Sequence, residues 1–206
     1  MSRPSGLETD RIETLADGVF AIAMTLLVFE IGVPRLAPSE LGRLPGELAA
    51  LWPKLLAYAL SFVVLGVFWI GHHNQFFYIR RASRVFLWLN ILFLMFVAFI
   101  PFSAQLLGQY PTQHVAVAVY GLNLLIVGLT LYLVWWYASA DHRLVDPDLD
   151  AATVRIASRR ILTGPVAYLV ALVISLVSLP LTLIVYAAVP LLYILPARID
   201  RTFRRR

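Results

Sequence analysis

Apolar residues in this chain of 206 fall into long, nearly charge-free runs divided by short polar stretches. Runs of that length predict membrane-spanning helices, which need about 20 mostly apolar residues to cross a hydrocarbon core of about 30 Å. The first is predicted over about Leu15–Val33, stopped by Pro34 and Pro38. A polar loop with Arg35, Glu40, Arg43 and Glu47 follows, with a turn at Pro45-Gly46. The second is predicted over about Leu55–Phe77, with Trp52 and Lys54 as anchors at the membrane interface. The third covers about Val85–Leu107 and the fourth about His114–Tyr137. A polar segment of about twenty residues then carries Asp141, His142, Asp146, Asp148, Asp150, Arg155, Arg159 and Arg160, and reads as a solvated loop.

The last apolar run, Ile161–Ala197, has 37 residues. As one helix it would be about 55 Å long, far more than a bilayer core. A hairpin near Ser178-Leu179-Pro180 divides it into two short spans and brings the total to six. Charge agrees with six. With the N-terminus inside, the inside segments hold 14 Lys and Arg and the outside loops 3, the asymmetry of cytoplasmic loops. Five spans would put Arg198, Arg201, Arg204, Arg205 and Arg206 outside, against that rule. The expected class is therefore an all-α integral membrane protein, multi-pass in the cell (inner) membrane, with both termini cytoplasmic.

Composition supports this class. Hydrophobic residues make up 60% of the chain, and a mean hydropathy of +0.79 is too high for a soluble domain of this size. The net charge of +5 would suit nucleic acid, but the arginines cluster at span ends, so topology accounts for them and no nucleic-acid partner is expected. With no cysteine, disulfides and thiolate metal sites are excluded. The opening MSRPSGLETD lacks the features of a cleaved signal peptide, and none is expected.

One stretch differs from the rest. RIETLADGVFAIAMTLLVFEI (Arg11–Ile31) starts with charges, holds Asp17, then runs apolar for twelve residues to Glu30. At about 100° per residue, Ile22, Leu26 and Phe29 form one stripe with Thr25 at its edge. Asp17 projects roughly the other way, where a carboxylate should meet protein, since facing lipid costs about 2.5–3.5 kcal/mol. Periodicity alone leaves the stripe open between a pore lining and a lipid-facing surface. It also leaves Thr25 open between a partial oxygen contact for a passing cation and a bond back to its own helix.

These residues resemble the signature of the bacterial relatives of transmembrane protein 175, the endosomal and lysosomal potassium channel. The family pattern runs Arg-x-x-x-Phe-Ser-Asp-Gly-Val-Phe-Ala-Ile, then an apolar run with a threonine, two leucines and a final glutamate. The chain keeps Arg11, Asp17, Gly18, Val19, Phe20, Ala21, Ile22, Thr25, Leu26, Leu27 and Glu30, and departs at Leu15, Ala16 and Phe29. FWIGHHNQFF (Phe68–Phe77), LWLNILFLMFVAFIPFSAQLLGQYP (Leu87–Pro111) and YGLNLL (Tyr120–Leu125) are similar to later family segments. The resemblance implies one six-helix unit per subunit, a homotetramer with the first helix lining a central pore, and permeant potassium ions. It implies that Ile22 forms the narrowest ring, with Leu26 and Phe29 lining the pore outward of it. A ring of apolar side chains gates by excluding water and has no oxygens to replace an ion's hydration shell, so selectivity over sodium should be modest. Phe29, where the family usually has Leu, should narrow the outer pore.

A second group is Arg11, Asp17, Trp69, His72, His73 and Asn74. Asp17 and the histidine pair lie at similar depth near the cytoplasmic end. One histidine, Trp69 and Asn74 are candidates to hydrogen-bond Asp17, a structural lock on the pore helix that the family's Arg, Asp and second-helix His suggest. A His–carboxylate pair titrates near neutral pH, so pH-dependent gating is a weaker expectation. Adjacent histidines face about 100° apart on a helix, which is poor for one metal, and no metal or other cofactor is expected. The Asp141–Asp150 segment lacks the Gly and Glu of a calcium loop. No nucleophile motif, P-loop or dinucleotide fingerprint is present, so an enzyme is not expected. The alternative is a proton- or cation-coupled transporter using Asp17, Glu30 and the histidines; the internal repeat and broken helices common in such folds are not visible.

Overall fold

The computed structural model describes residues 9–194. It is all-helical: α1 (Asp10–Phe29), α2 (Leu44–Ala50), α3 (Trp52–Phe76), α4 (Arg84–Ala98), α5 (Ile100–Gln109), α6 (His114–Ser139), α7 (Ala151–Ile174) and α8 (Leu179–Ile194). Five stretches are long and apolar enough to cross a membrane: α1, α3, α4 with α5 taken together, α6 with its 3₁₀ extension, and α7. The shorter α8 is also apolar. The protein is thus a multi-pass membrane protein.

Local chemistry sets the boundaries. Asp10 and Glu13 place negative charge in the first turn of α1, against the positive end of its dipole. The helix stops at Phe29, four residues before the predicted Val33. Gly32 turns the chain at φ +68, a left-handed conformation that other residues avoid, and Pro34 follows. Between α1 and α3 the expected polar loop holds a 3₁₀ turn at Pro38–Arg43 and the short α2, tied by Arg43 to Glu40 (2.9 Å) and Glu47 (3.3 Å). The third predicted span is two helices in line. Pro101 has no N–H to offer Val97, and the chain bends at Phe99.

The largest departure is at α7. Asp150 accepts a hydrogen bond from the Ala152 N–H (3.1 Å) and caps a helix that starts at Ala151. Arg155, Arg159 and Arg160 therefore sit on the first turns of α7, not in a loop. Sequence reading missed this because arginines interrupt the apolar pattern without interrupting the helix. The hairpin after Ile174 lies where it was expected, held by His114, whose Nδ1 lies 2.9 Å from the Ser175 carbonyl. The C-terminal arginines from Arg198 lie outside the described residues.

α6 is the axis of the fold. It packs on α4, α5, α7 and α8 and is apolar on all sides, as a helix surrounded by protein should be. Its most apolar window is 56% buried, against 28% for that of α1. Close approach depends on two glycines one heptad apart. A Cβ on Gly128 would lie 2.7 Å from Pro165 Cγ on α7. A Cβ on Gly121 would collide with the hydroxyl of Tyr186 on α8. That hydroxyl donates to the Val117 carbonyl at 3.0 Å.

We expect Gly121→Ala to displace Tyr186 and to destabilise the detergent-solubilised protein by about 1–3 kcal/mol, the usual cost of overpacking. Gly66→Ala is the control, because a Cβ there meets nothing within 4 Å. Thermal midpoints should fall for the first and hold or rise slightly for the second, since Ala suits a helix interior better than Gly.

Candidate functional site

The rotation of α1 is fixed from one side. Ile12, Ala16, Phe20, Ala23 and Leu27 form its buried stripe and face α3, α4 and α5. Ala16 and Ala23 are small enough for neighbouring backbones to approach closely. Phe20 is the anchor. Its ring lies 6.0 Å from Phe93 on α4 and 6.4 Å from His72 on α3. His72 stacks on Phe93 (5.3 Å, 5° between planes) and also meets Phe76 at 4.6 Å.

The two histidines take different roles. His72 is buried, with Nε2 3.0 Å from Asn90 Oδ1. The Asn90 amide in turn donates to the Phe86 carbonyl (2.9 Å), so the group is satisfied inside the bundle. His73 points outward and stacks on Trp69 (5.8 Å). The Trp69 indole N–H donates to Asp17 Oδ1 at 2.8 Å. Among the described residues neither histidine bonds to Asp17. Asn74 lies on another side of α3, lining a cavity beside α7. Arg11 is exposed and has no ion pair among the described residues. At the far end, Lys54 Nζ donates to the Ile31 carbonyl (3.3 Å), so α3 holds both ends of α1.

Fixing that buried stripe leaves the other face of α1 uncovered by its own chain. Ile22 is 60% exposed, Leu26 44% and Phe29 76%. Thr25 and Gly18 are exposed on the same broad face. The Thr25 hydroxyl donates to the Ile22 carbonyl (2.9 Å), a bond back to its own helix. Its proton is thereby engaged, and its lone pairs remain as acceptors.

Sequence reasoning missed the anchors Phe20, Asn90 and Lys54 in these roles. Asn90 had a signal: it is the lone amide of α4, deep in an apolar run, and such a group needs a partner. Phe20 had none, because one phenylalanine among apolar neighbours does not say which way it points.

These features define a multi-pass helical membrane protein whose first helix presents an unpartnered face. Residues 11–101 match the family described as endosomal/lysosomal potassium channel TMEM175. A potassium channel of Streptomyces collinus is 38% identical over 190 residues, covering 90% of this chain and 91% of that one. A potassium channel of Chamaesiphon minutus is 39% identical over 178 residues, covering 85% and 88%. A crystal structure of a lysosomal potassium-selective channel TMEM175 homolog from Chamaesiphon minutus superimposes with a TM-score of 0.81 at 35% identity, over 91% of this chain and 96% of that one. The chain belongs to the TMEM175 family.

Removing the Asp17 partner tests the tie between α1 and α3. Trp69→Phe should cost about 0.5–1.5 kcal/mol of stability, the usual net worth of a hydrogen bond, since this one is exposed on the single chain. Asp17→Asn should cost less in the Trp69→Phe background than in wild type. A double-mutant cycle on thermal midpoints reads that coupling.

Proposed function

We propose that the protein is a potassium channel, modestly selective over sodium, formed by four copies with α1 of each around a central axis. The observation that carries this is the uncovered stripe of α1. Ile22, Thr25, Leu26 and Phe29 lie away from the buried stripe, and that stripe is pinned by Phe20 and flanked by the Asp17–Trp69 bond. Relatives that align over 85–90% of the chain and carry the name potassium channel support the same reading. One copy of α1 cannot enclose a path, so closure by rotational symmetry follows from the proposal.

In the assembly, four Ile22 side chains form the narrowest ring. An apolar ring excludes water until it widens, and so acts as the gate. Leu26 and Phe29 continue the lining outward, and the Phe29 ring narrows it. Thr25 supplies the oxygen. With its proton held by the Ile22 carbonyl, its lone pairs are free for a partly dehydrated cation. One hydroxyl per subunit replaces less of a hydration shell than a filter of carbonyl rings, so discrimination against sodium stays modest. Asp17, Trp69 and His73 form a structural tie behind the pore, with Arg11 at its mouth. α8 is the sixth crossing, both termini are cytoplasmic, and the protein sits in the cell's inner membrane, in keeping with the placement of its arginines. Ions move down their gradients, and no catalysis is involved.

Liposomes holding the purified protein test this reading. Potassium efflux down its own gradient should exceed sodium efflux, and Ile22→Ala should raise both. Phe29→Leu should raise potassium efflux by a smaller factor. Native mass measurement should give four chains per particle. No flux of either ion from folded tetramers would put the coupled transporter first.

A further inference from the structure

Away from α1, among the described residues, a cavity of about 650 Å³ lies between α3, α6, α7 and α8. It exists because α6 packs along α7 while α3 packs on α8, which leaves a cleft with α6 as its back wall. Its body is apolar, with Val64, Phe68, Ile161 and Tyr168 in the walls. Ile70, Phe77 and Ile156, each about half exposed or more, border the open side. The charged residues of the lining lie towards one end, where α3 finishes and α7 begins, and they do not balance. Asp146, Asp148 and Asp150 stand against Arg80 and Arg160, and Arg160 is already engaged. Among the described residues none of the three aspartates has an ion pair. The bonds that Asp146 and Asp150 accept, from the Asp148 and Ala152 N–H groups, use one oxygen of each. A segment that suits this cleft has apolar side chains for its body and positive charge for its end.

The chain carries such a segment at the cleft itself. Tyr193 and Ile194, the last residues of α8, line the cavity. The Tyr193 hydroxyl donates to the Arg160 carbonyl at 3.0 Å, which ties the end of α8 to α7 beside the charged end. From Ile194 the sequence continues as LPARIDRTFRRR (Leu195–Arg206), outside the described residues. It holds five arginines against one aspartate, with Ile199 and Phe203 as large apolar residues among them. Phe203 comes nine positions after Ile194, a reach of up to about 30 Å. A short tether of this kind raises the local concentration of the segment to the millimolar range, so modest contacts suffice to hold it.

We propose that Leu195–Arg206 docks back into this cleft of its own subunit. Phe203 enters the open side against Phe77 and Ile156, and the arginines around it meet Asp146, Asp148 and Asp150. Docked there, the segment clamps the end of α3 to the start of α7. Trp69 and His72, which set the rotation of α1, are on that same α3. The clamp therefore steadies the helix that orients the proposed pore lining.

Disulfide cross-linking of the full-length protein tests it, since the chain has no cysteine of its own. In phosphatidylcholine liposomes, Ile156→Cys with Thr202→Cys should close within one subunit about tenfold faster than Val85→Cys with Thr202→Cys. Val85 is also exposed but lies on α4, which forms no part of the cleft. Adding Phe203→Ala should slow the first pair about tenfold, the factor for burying part of one phenylalanine side chain. Adding Asp148→Asn should slow it about threefold, as for one exposed ion pair. All these positions are exposed or lie beyond α8, and each variant should elute as wild type does. Equal rates for the two pairs, or no response to Phe203→Ala, would overturn the proposal. So would a product joining two subunits, which puts a neighbour's segment in the cleft. Loss of the product in phosphatidylglycerol liposomes would also overturn it, by placing the arginines on lipid.

Discussion

Everything proposed for α1 depends on its angle of rotation. An α-helix offers every face to its neighbours in turn, and a turn of 100° exchanges one residue for the next. Here Phe20 fills a gap between His72 and Phe93, and the Trp69 indole holds Asp17 at 2.8 Å. Asp17 and Phe20, three residues apart, lie about 60° from each other on the helix, and together they fix which side of α1 meets α3 and α4. Lys54 holds the other end through the Ile31 carbonyl. Ile22 and Phe29 are then exposed as a consequence of where Phe20 and Asp17 are held.

Polar groups in the spans are mostly paired inside the subunit, as a low-dielectric surrounding demands. Ser61 meets Tyr120 at 3.0 Å, the Gln75 amide reaches the Leu131 carbonyl, and Asn123 donates to Ser103 at 3.1 Å. Each of these bonds links two helices, and α6 takes part in all three. Polar residues in this bundle serve mainly as fasteners on α6, the helix with the most buried surface. α1 lies outside that fastening, held by one aromatic cluster, one indole and one lysine.

The sequence made the helical class and most spans legible, because hydropathy over about 20 residues is a strong signal when backbone groups must be satisfied within a helix. It failed where a local signal contradicted the window. Arg155, Arg159 and Arg160 read as loop, yet Asp150 caps a helix that carries all three. The α4–α5 bend was visible as Pro101 but not assigned. At the candidate site, the stripe of Ile22, Leu26 and Phe29 could be written down from spacing, although spacing could not say whether it was covered. The histidines show the limit most clearly. Adjacent in sequence and similar in chemistry, they differ only in which neighbour each 100° step reaches: Asn90 for His72 and Trp69 for His73.

The uncovered face also bears on why copies of this chain should associate. An apolar stripe gives little drive for assembly in a membrane, since lipid tails are as apolar as leucine. The drive must come from residues that lipid suits poorly. Among the described residues Asp17 is exposed and accepts one hydrogen bond, from the Trp69 indole, Thr25 is exposed in mid-helix, and Arg11 is exposed in the first turn of α1. A charge facing hydrocarbon costs about 2.5–3.5 kcal/mol even on the lenient insertion scales. Turning these residues towards partner subunits or a water-filled axis removes that penalty once per copy. Asp17, on the side of α1 away from the stripe, meets protein, which leaves the stripe free to face an axis. In the proposed assembly the polar residues of α1 would favour contact between copies, and Ile22 would keep the rotation that Phe20 and Trp69 set for the helix.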